Sequence, residues 1–248
     1  MTRIGGVIRP VRFAVRIAWP YSYPRIAREV VIVTAAGPLG AQASPAPAFA
    51  EAYAAEDALL QAARNFAREL GLTPVSPGAG AVLRLLAAAG GAKAVVEIGT
   101  GTGVSGLWLL RGMRADGVLS TIDADGEHQR VARRVFLDAG YRAGRTRIIT
   151  GRALDVLPRL ADGVYDMVFA DADRTEVAAY AEGALRLLRP GGALVLSAAL
   201  AGGRIGDPAA RDLETVTLRE TLRTIRESDA WIPAVIPTGS GLLAAVKR

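Results

Sequence analysis

The sequence contains no cysteine, only one histidine, and no long uninterrupted apolar run. Without cysteine it can form no disulfide, thiolate nucleophile or cysteine metal site, although this does not fix the compartment. The lone His128 excludes a histidine-rich metal site. Because a membrane-spanning helix needs about 18 or more apolar residues, none is predicted. At 248 residues the chain is long enough for one α/β domain with a sizeable core.

Acidic residues are scarce at the N-terminus, where residues 1–47 hold six arginines and one acid, Glu29. The rest of the chain carries 24 basic and 23 acidic residues, so the net charge of +6 comes mostly from this segment. The near-neutral body gives no indication of nucleic-acid binding. The sequence therefore predicts no nucleic-acid partner.

Residues 1–47 differ from the rest of the chain and show no sustained helical period. Three interpretations are open: an Arg-rich targeting segment, a disordered basic arm, or an over-extended start that is not native to the protein. Pro38 interrupts the apolar part that a targeting segment would need. We therefore favour a basic extension, disordered or non-native, followed by one domain over residues 48–248.

The most informative stretch is AVVEIGTGTGVS, residues 94–105. A short apolar run is typical of a buried parallel strand. Three glycines at alternate positions, Gly99, Gly101 and Gly103, allow a sharp turn where side chains would obstruct a ligand. An apolar-periodic helix follows from Val104. A strand, a glycine turn and a helix in this order indicate a nucleotide-type cofactor site.

Two cofactors compete for this loop. Gly101, Gly103 and Gly106 fit the dinucleotide pattern G-x-G-x-x-G, and Asp123 follows at the expected distance. Glu97 favours the other cofactor, because a carboxylate before the first glycine would repel a pyrophosphate. It suits S-adenosylmethionine (SAM), which carries an ammonium and a sulfonium.

The order of predicted elements indicates a doubly wound, mostly parallel α/β sheet. A first helix is predicted over Ala48 to Leu70, and a second begins after Ser76. Further strands are predicted at residues 118–123, 146–150, 165–171 and 193–197, with a terminal hairpin at 231–236 and 242–247. Helices are predicted between them at residues 127–139, 153–160, 175–188 and 208–227.

Several side chains follow predicted strands, at the sheet edge where α/β proteins bind ligands. Asp123 could accept both hydroxyls of a ribose, and Ala153 leaves room for an adenine ring. Asp171 and Asp173 follow the strand that begins at Tyr165; Asp173 could instead cap the next helix. His128 is predicted to be a solvated helix residue.

These motifs together resemble the class I SAM-dependent methyltransferases, in the catechol and caffeoyl-CoA O-methyltransferase-like branch. The resemblance covers residues 50–248. Within this branch, the chain particularly resembles a group of uncharacterised actinobacterial O-methyltransferases. It is carried by residues 97–105 (EIGTGTGVS), 121–123 (TID), 151–153 (GRA), 169–173 (FADAD), 187–192 (LLRPGG) and 241–244 (GLLA).

The resemblance implies a Rossmann-like, seven-stranded sheet whose last strand is antiparallel, with helices at the N-terminus. It also implies that Asp171 faces the acceptor. The implied SAM contacts are Val75, Glu97, Gly99, Thr100, Ser105, Asp123, Ala153 and Asp173, in addition to the loop glycines Gly101 and Gly103.

Two departures from the family pattern concern catalysis. Metal-dependent members carry Asp-Asn after the fifth strand, where this chain has Ser197 and Ala198. They also use a lysine base where this chain has Arg174, which stays protonated. Asp171 alone cannot supply the oxygen ligands of a hard cation, so no metal is predicted.

The sequence therefore predicts a SAM-dependent O-methyltransferase that acts without metal on a small-molecule, phenol-like hydroxyl. Asp171 would bind or deprotonate the acceptor, and Arg174 could stabilise an anionic one. A SAM-binding protein with little catalysis remains an alternative, and an NAD-dependent oxidoreductase is disfavoured by Glu97. We expect a cytoplasmic protein, with a homodimer as an open possibility.

Overall fold

A seven-stranded sheet runs through the residues that the computed structural model describes, 45–248. Its strands are β1 (Ala94–Ile98), β2 (Val118–Asp123), β3 (Thr146–Thr150), β4 (Tyr165–Ala170), β5 (Leu188–Leu196), β6 (Trp231–Ile236) and β7 (Leu242–Lys247). The helices are α1 (Pro45–Tyr53), α2 (Ala58–Glu69), α3 (Pro77–Ala89), α4 (Val104–Gly112), α5 (Gly126–Asp138), α6 (Ala153–Val156), α7 (Val177–Leu187) and α8 (Leu213–Glu227).

The strand order is β3-β2-β1-β4-β5-β7-β6. Strands β1 to β5 pair parallel with one another, whereas β7 pairs antiparallel with both β5 and β6. The predicted Rossmann-like fold, seven-stranded with an antiparallel last strand, is therefore confirmed. The terminal hairpin is also confirmed, because Trp231 pairs with Lys247 and Ile236 with Leu242.

The apolar run of β1 is explained by a core on both faces of the sheet. Val96 and Ile98 pack in one layer with residues of α6, α7 and α8. Val95 packs in the other layer with residues of α2, α3, α4 and α5. A strand covered on both faces needs continuous apolar residues rather than an alternating pattern.

The single helix predicted over Ala48 to Leu70 is wrong, because α1 ends at Tyr53 and α2 begins at Ala58. Asp57 starts the second helix by accepting a hydrogen bond from the amide of Leu60 at 3.1 Å. The last long helix also begins later than predicted, at Leu213 rather than Pro208, because Asp212 caps it through the Thr215 amide at 3.0 Å.

Most of the predicted basic extension, residues 1–44, lies outside the described residues, and Pro45 already belongs to α1. Among the helices of residues 45–248, none is both long and apolar enough to cross a membrane.

Candidate active site

Three neighbouring strands end level with one another at the carboxyl edge of the sheet. Ile98 at the end of β1 pairs with Ile122 on one side and Ala170 on the other. The chain then proceeds from β1 outwards to β2 and β3, whereas β4 and β5 lie on the opposite side. Ligands of open α/β sheets bind at such a switch point, so Gly99, Asp123 and Asp171 leave the sheet where a ligand is expected.

A cavity of about 560 Å³ lies at this edge, within the size range of small-molecule sites. Its wall contains eight of the predicted site residues: Gly99, Thr100, Gly101, Ser105, Asp123, Ala153, Asp171 and Asp173. The other four, Val75, Glu97, Gly103 and Arg174, do not line it.

The glycine loop follows β1 in a conformation that side chains disfavour. Gly99 has φ +96°, and a Cβ there would lie 2.2 Å from the carbonyl oxygen of Asp171. Gly103 has φ +87° and immediately precedes α4, which has no side-chain cap. Left-handed backbone and close approach both favour glycine, so no side chain projects from these positions of the loop.

Asp123 faces the loop from the end of β2. Its Oδ2 accepts a hydrogen bond from the Gly101 amide at 2.8 Å, and its Oδ1 accepts one from the Asp125 amide at 2.9 Å. A carboxylate has about four acceptor positions, so both oxygens can still accept ligand hydroxyls. The carboxylate is thereby oriented at the cavity wall before any ligand arrives.

Glu97 lies behind the cavity wall and is fully buried. Its Oε2 accepts a hydrogen bond from the Thr121 hydroxyl at 2.6 Å. Ser105 lies near enough to lower the pKa somewhat, but no group completes a hydrogen bond to Oε1. Burial is the largest cause, and together with the charges of Asp171 and Asp123 it outweighs the hydrogen bond from Thr121, so that the pKa of Glu97 is raised to about 7. Carboxylates from β1, β2 and β4 therefore converge at one edge.

Asp171 occupies the cavity wall at the end of β4. Burial raises the pKa of this carboxyl, while a hydrogen bond with the Ser197 side chain and the charge of Arg174 partly lower it. A carboxylate with a raised pKa is a stronger base than an ordinary one. Asp171 thus has the chemistry of a group that could accept a proton.

The remaining predicted residues have visible structural partners. The Val75 carbonyl accepts a hydrogen bond from Arg64 Nη2 at 2.8 Å. Arg174 reaches out to Glu214 on α8, with 3.3 Å between Nη1 and Oε2. Asp173 Oδ1 accepts hydrogen bonds from the amide and hydroxyl of Thr175 at 2.8 and 2.7 Å. Asp173 therefore acts as a cap while also lining the cavity.

His128 is not the solvated helix residue that the sequence predicts, because it lies in the cavity wall and its side chain is only 19% exposed. Its Nδ1 stands 3.5 Å from Asp123 Oδ1. The sequence did hold a signal for this placement, because His128 lies in the first turn of α5, only five residues after Asp123.

Other parts of the wall went unpredicted: Leu72, Thr73 and Pro74 between α2 and α3, and Arg152, Glu176 and Tyr180 near α6 and α7. Arg152 belongs to the GRA motif of residues 151–153, but the others lie in no motif, and only the fold brings them to the cavity.

The two positions after β5 carry no side-chain carboxylate or amide. Ala198 nevertheless has φ +56°, a left-handed conformation that asparagine tolerates better than alanine. Within residues 45–248 no three His, Cys, Asp or Glu side chains are grouped so that they could hold a metal ion.

Residues 50–248 match the sequence model of a family described as O-methyltransferase. A protein of Mycolicibacterium paratuberculosis, whose name assigns it provisionally to the O-methyltransferases, is 54% identical over 200 residues, which cover 81% of this chain and 90% of the relative.

Two solved structures extend the comparison. The O-methyltransferase TomG from Streptomyces achromogenes, in complex with SAM, gives a TM-score of 0.73 at 32% identity. The match covers 81% of this chain and 94% of the TomG chain. An O-methyltransferase from Bacillus cereus, in complex with SAH (S-adenosylhomocysteine), gives a TM-score of 0.74 at 29% identity. The match covers 81% of this chain and 96% of the Bacillus cereus chain. The chain belongs to the O-methyltransferase family.

Proposed function

We propose that the protein is a SAM-dependent O-methyltransferase that acts on the hydroxyl of a small molecule and needs no metal. The observation that carries this proposal is the convergence of Glu97, Asp123 and Asp171 around the glycine loop. Three carboxylates would repel the pyrophosphate of a dinucleotide but attract a sulfonium and an ammonium. The TomG and Bacillus cereus complexes support the same cofactor.

The described residues fit such a cofactor. Gly99 and Gly101 leave the cavity wall open there, because a Cβ would collide with the Asp171 backbone at Gly99 and would strain the backbone at Gly101. Glu97 retains a buried oxygen without a partner. In this proposal Asp123 binds the ribose, while Ala153 lies beside the adenine. Thr100, Ser105 and the amides of the loop receive the methionine end, with Glu97 supplying negative charge from behind them. Asp173 borders the cofactor from the end of β4.

When bound, SAM supplies a methyl group made electrophilic by its positive sulfur. The protein binds the acceptor next to it and excludes water. Asp171 is the group proposed to orient the acceptor hydroxyl and take its proton, with the Ser197 side chain holding the carboxyl in place. Arg174 cannot serve as a base, but its positive charge favours an acceptor that becomes anionic.

Metal independence follows from the ligand count. Ser197 and Ala198 stand where metal-dependent members place Asp-Asn, and hard cations prefer several oxygen ligands. Methyl transfer should therefore continue in EDTA. If EDTA abolishes turnover and Mg²⁺ or Mn²⁺ restores it, Asp171 belongs to a metal site and this part of the proposal is wrong.

Binding and turnover test the proposal separately. Isothermal titration should detect SAM and SAH but not NAD, and Asp123→Ala should weaken SAM binding by about 1–3 kcal/mol. Asp138→Ala, which removes a surface carboxylate paired with Arg134 on α5, is the matched control and should leave SAM affinity unchanged.

Phenolic acceptors screened with radiolabelled SAM then test transfer. Asp171→Asn should abolish transfer while the protein still binds SAM. SAM binding without transfer to any acceptor would support the alternative, a SAM-binding protein with little catalysis. NAD binding in place of SAM would contradict the proposal altogether.

A further inference from the structure

A chain of three polar side chains joins the turn after β3 to the segment after β4 along the cavity wall. Arg152 Nη2 donates a hydrogen bond to Glu176 Oε1 at 2.7 Å. The Tyr180 hydroxyl donates one to Glu176 Oε2 at 2.8 Å. All three residues line the cavity; Arg152 lies in the GRA motif, but no motif predicts its link to Glu176 or the link of Glu176 to Tyr180.

The link connects elements that the sheet keeps apart. Strands β3 and β4 are separated by β2 and β1, which at about 4.8 Å per strand amounts to roughly 14 Å. Arg152 immediately precedes α6, and Glu176 immediately precedes α7. Because α6 and α7 pack in the same core layer, the link closes the cavity wall between the starts of these two helices.

The two halves of the link differ in how firmly they are held. The Tyr180 side chain is buried, and the Glu176 side chain is 19% exposed. Desolvation, followed by the hydrogen bond and charge of Glu176, raises the pKa of Tyr180, so its phenol stays protonated and donates. The Arg152 side chain is 69% exposed. Glu176 is thus a fixed acceptor, whereas Arg152 can leave it and move into solvent.

Three carboxylates stabilise the charged guanidinium of Arg152. Glu176, Asp155 and Asp173 all raise the pKa of its guanidinium. Ala153, the residue next in sequence, lines the cavity at the position proposed for the adenine. The Arg152–Glu176 link therefore lies beside the part of the cavity proposed for the nucleoside.

We propose that Arg152 and Glu176 form a clasp over the nucleoside end of the cavity, and that breaking it limits the rate at which the cofactor and its product leave. This inference rests on the proposed function, because it takes the cavity to be the SAM site. Arg152 and Glu176 are positioning residues here, and Tyr180 holds Glu176 in place.

Release of SAH, measured by stopped-flow displacement, tests the clasp. SAH is the suitable probe because it lacks the sulfonium and keeps charges only on the ammonium and carboxylate of its amino-acid end, which the proposed function places away from Arg152. Arg152→Met keeps most of the aliphatic stem and should accelerate release about fivefold, the upper range for a partly exposed ion pair. Arg152→Lys should restore part of the slow release, and Tyr180→Phe should accelerate it by freeing Glu176.

Salt dependence distinguishes a clasp from a general packing effect. Release from the wild-type protein should accelerate as NaCl increases, because screening weakens the ion pair. Release from Arg152→Met should be nearly insensitive to salt. Arg134→Met, which breaks the Arg134–Asp138 pair on α5, is the matched control and should behave as wild type, and melting temperatures should confirm that all variants fold.

Equal release rates and equal salt dependence for wild type and Arg152→Met would overturn the clasp while leaving the cofactor assignment intact. Failure of the wild-type protein to bind either SAM or SAH would instead overturn the proposed function. The two outcomes are therefore separate.

Discussion

At the scale of single residues, the site is dominated by carboxylates whose environments differ. Asp123 is held by two amides at the cavity wall, Glu97 is sealed behind it, and Asp171 is buried beside Ser197. The sequence could place these residues at strand ends, because strand boundaries and motif spacing determine that. It could not show that Glu97 lies behind the wall, since this depends on how α4 packs over β1.

Glu97 should make the ligand-free protein less stable as pH rises. Its pKa is raised from 4.5 to about 7 in the folded state, so between these values the folded protein binds more protons than the unfolded chain. The free energy of unfolding therefore falls as pH rises through this window. Below it Glu97 is protonated in both states, and above it the cost is complete.

Glu97→Gln removes this titration and should be more stable than wild type at pH 8, by about 3 kcal/mol on the basis of 1.36 kcal/mol per pKa unit. The advantage should shrink towards pH 4.5. Urea denaturation of both proteins across this range measures it. A stability difference that stays constant with pH would contradict the assignment.

At the scale of elements, the unit of β1, glycine loop and α4 was predictable because its signals are local. The apolar run, the glycines and the helical period all lie within one short segment. The break between α1 and α2 was missed because apolar residues continue at helical spacing on both sides of Asp57, while the cap that starts α2 is a single side chain. Arg152 and Glu176 were missed because their contact depends on the order of strands in the sheet.

The glycines of the loop should differ in how they tolerate a methyl group. A Cβ at Gly99 would lie 2.2 Å from the Asp171 backbone, whereas at Gly101 the nearest atom, on the flexible Leu72 side chain, is 3.9 Å away. Both have positive φ, so both substitutions strain the backbone. Only Gly99→Ala must also separate β1 from β4.

We therefore expect Gly99→Ala to lose several kcal/mol of stability or fail to fold, and Gly101→Ala to lose about 1–2 kcal/mol. Thermal denaturation followed by circular dichroism compares the two variants. Equal losses would show that backbone strain, and not the approach of β4, decides the requirement for glycine.

At the scale of the whole molecule, one carboxylate ties the N-terminal helix to two distant parts of the domain. Glu51 Oε1 accepts hydrogen bonds from the Thr238 hydroxyl at 2.7 Å and the Gly239 amide at 2.6 Å. Its Oε2 accepts one from the Gly78 amide at 2.9 Å. The β6–β7 turn and the start of α3 are thus joined through α1. Burial alone would raise the pKa of Glu51, but these hydrogen bonds, together with one from Ser76, outweigh it and lower the pKa.

Two truncations should therefore have different effects. Removal of residues 1–44 takes away the basic segment, whose composition shows no periodic apolar face, and leaves Glu51 in place. We expect the melting temperature and SAM affinity to stay unchanged. Removal of residues 1–53 also takes away α1, which leaves the Gly78 and Gly239 amides without their acceptor. At about 1 kcal/mol for each hydrogen bond, we expect a loss of roughly 2–3 kcal/mol.

Glu51→Ala in the full-length chain separates this contact from the rest of α1. It should reproduce most of the loss seen on removal of residues 1–53, because Phe49 and Tyr53 are 69% and 80% exposed and contribute little burial. Calorimetry on the four proteins measures the effect. If removal of residues 1–44 lowers stability as much as removal of residues 1–53, the basic segment itself packs on the domain, and α1 is not the boundary of the folded unit.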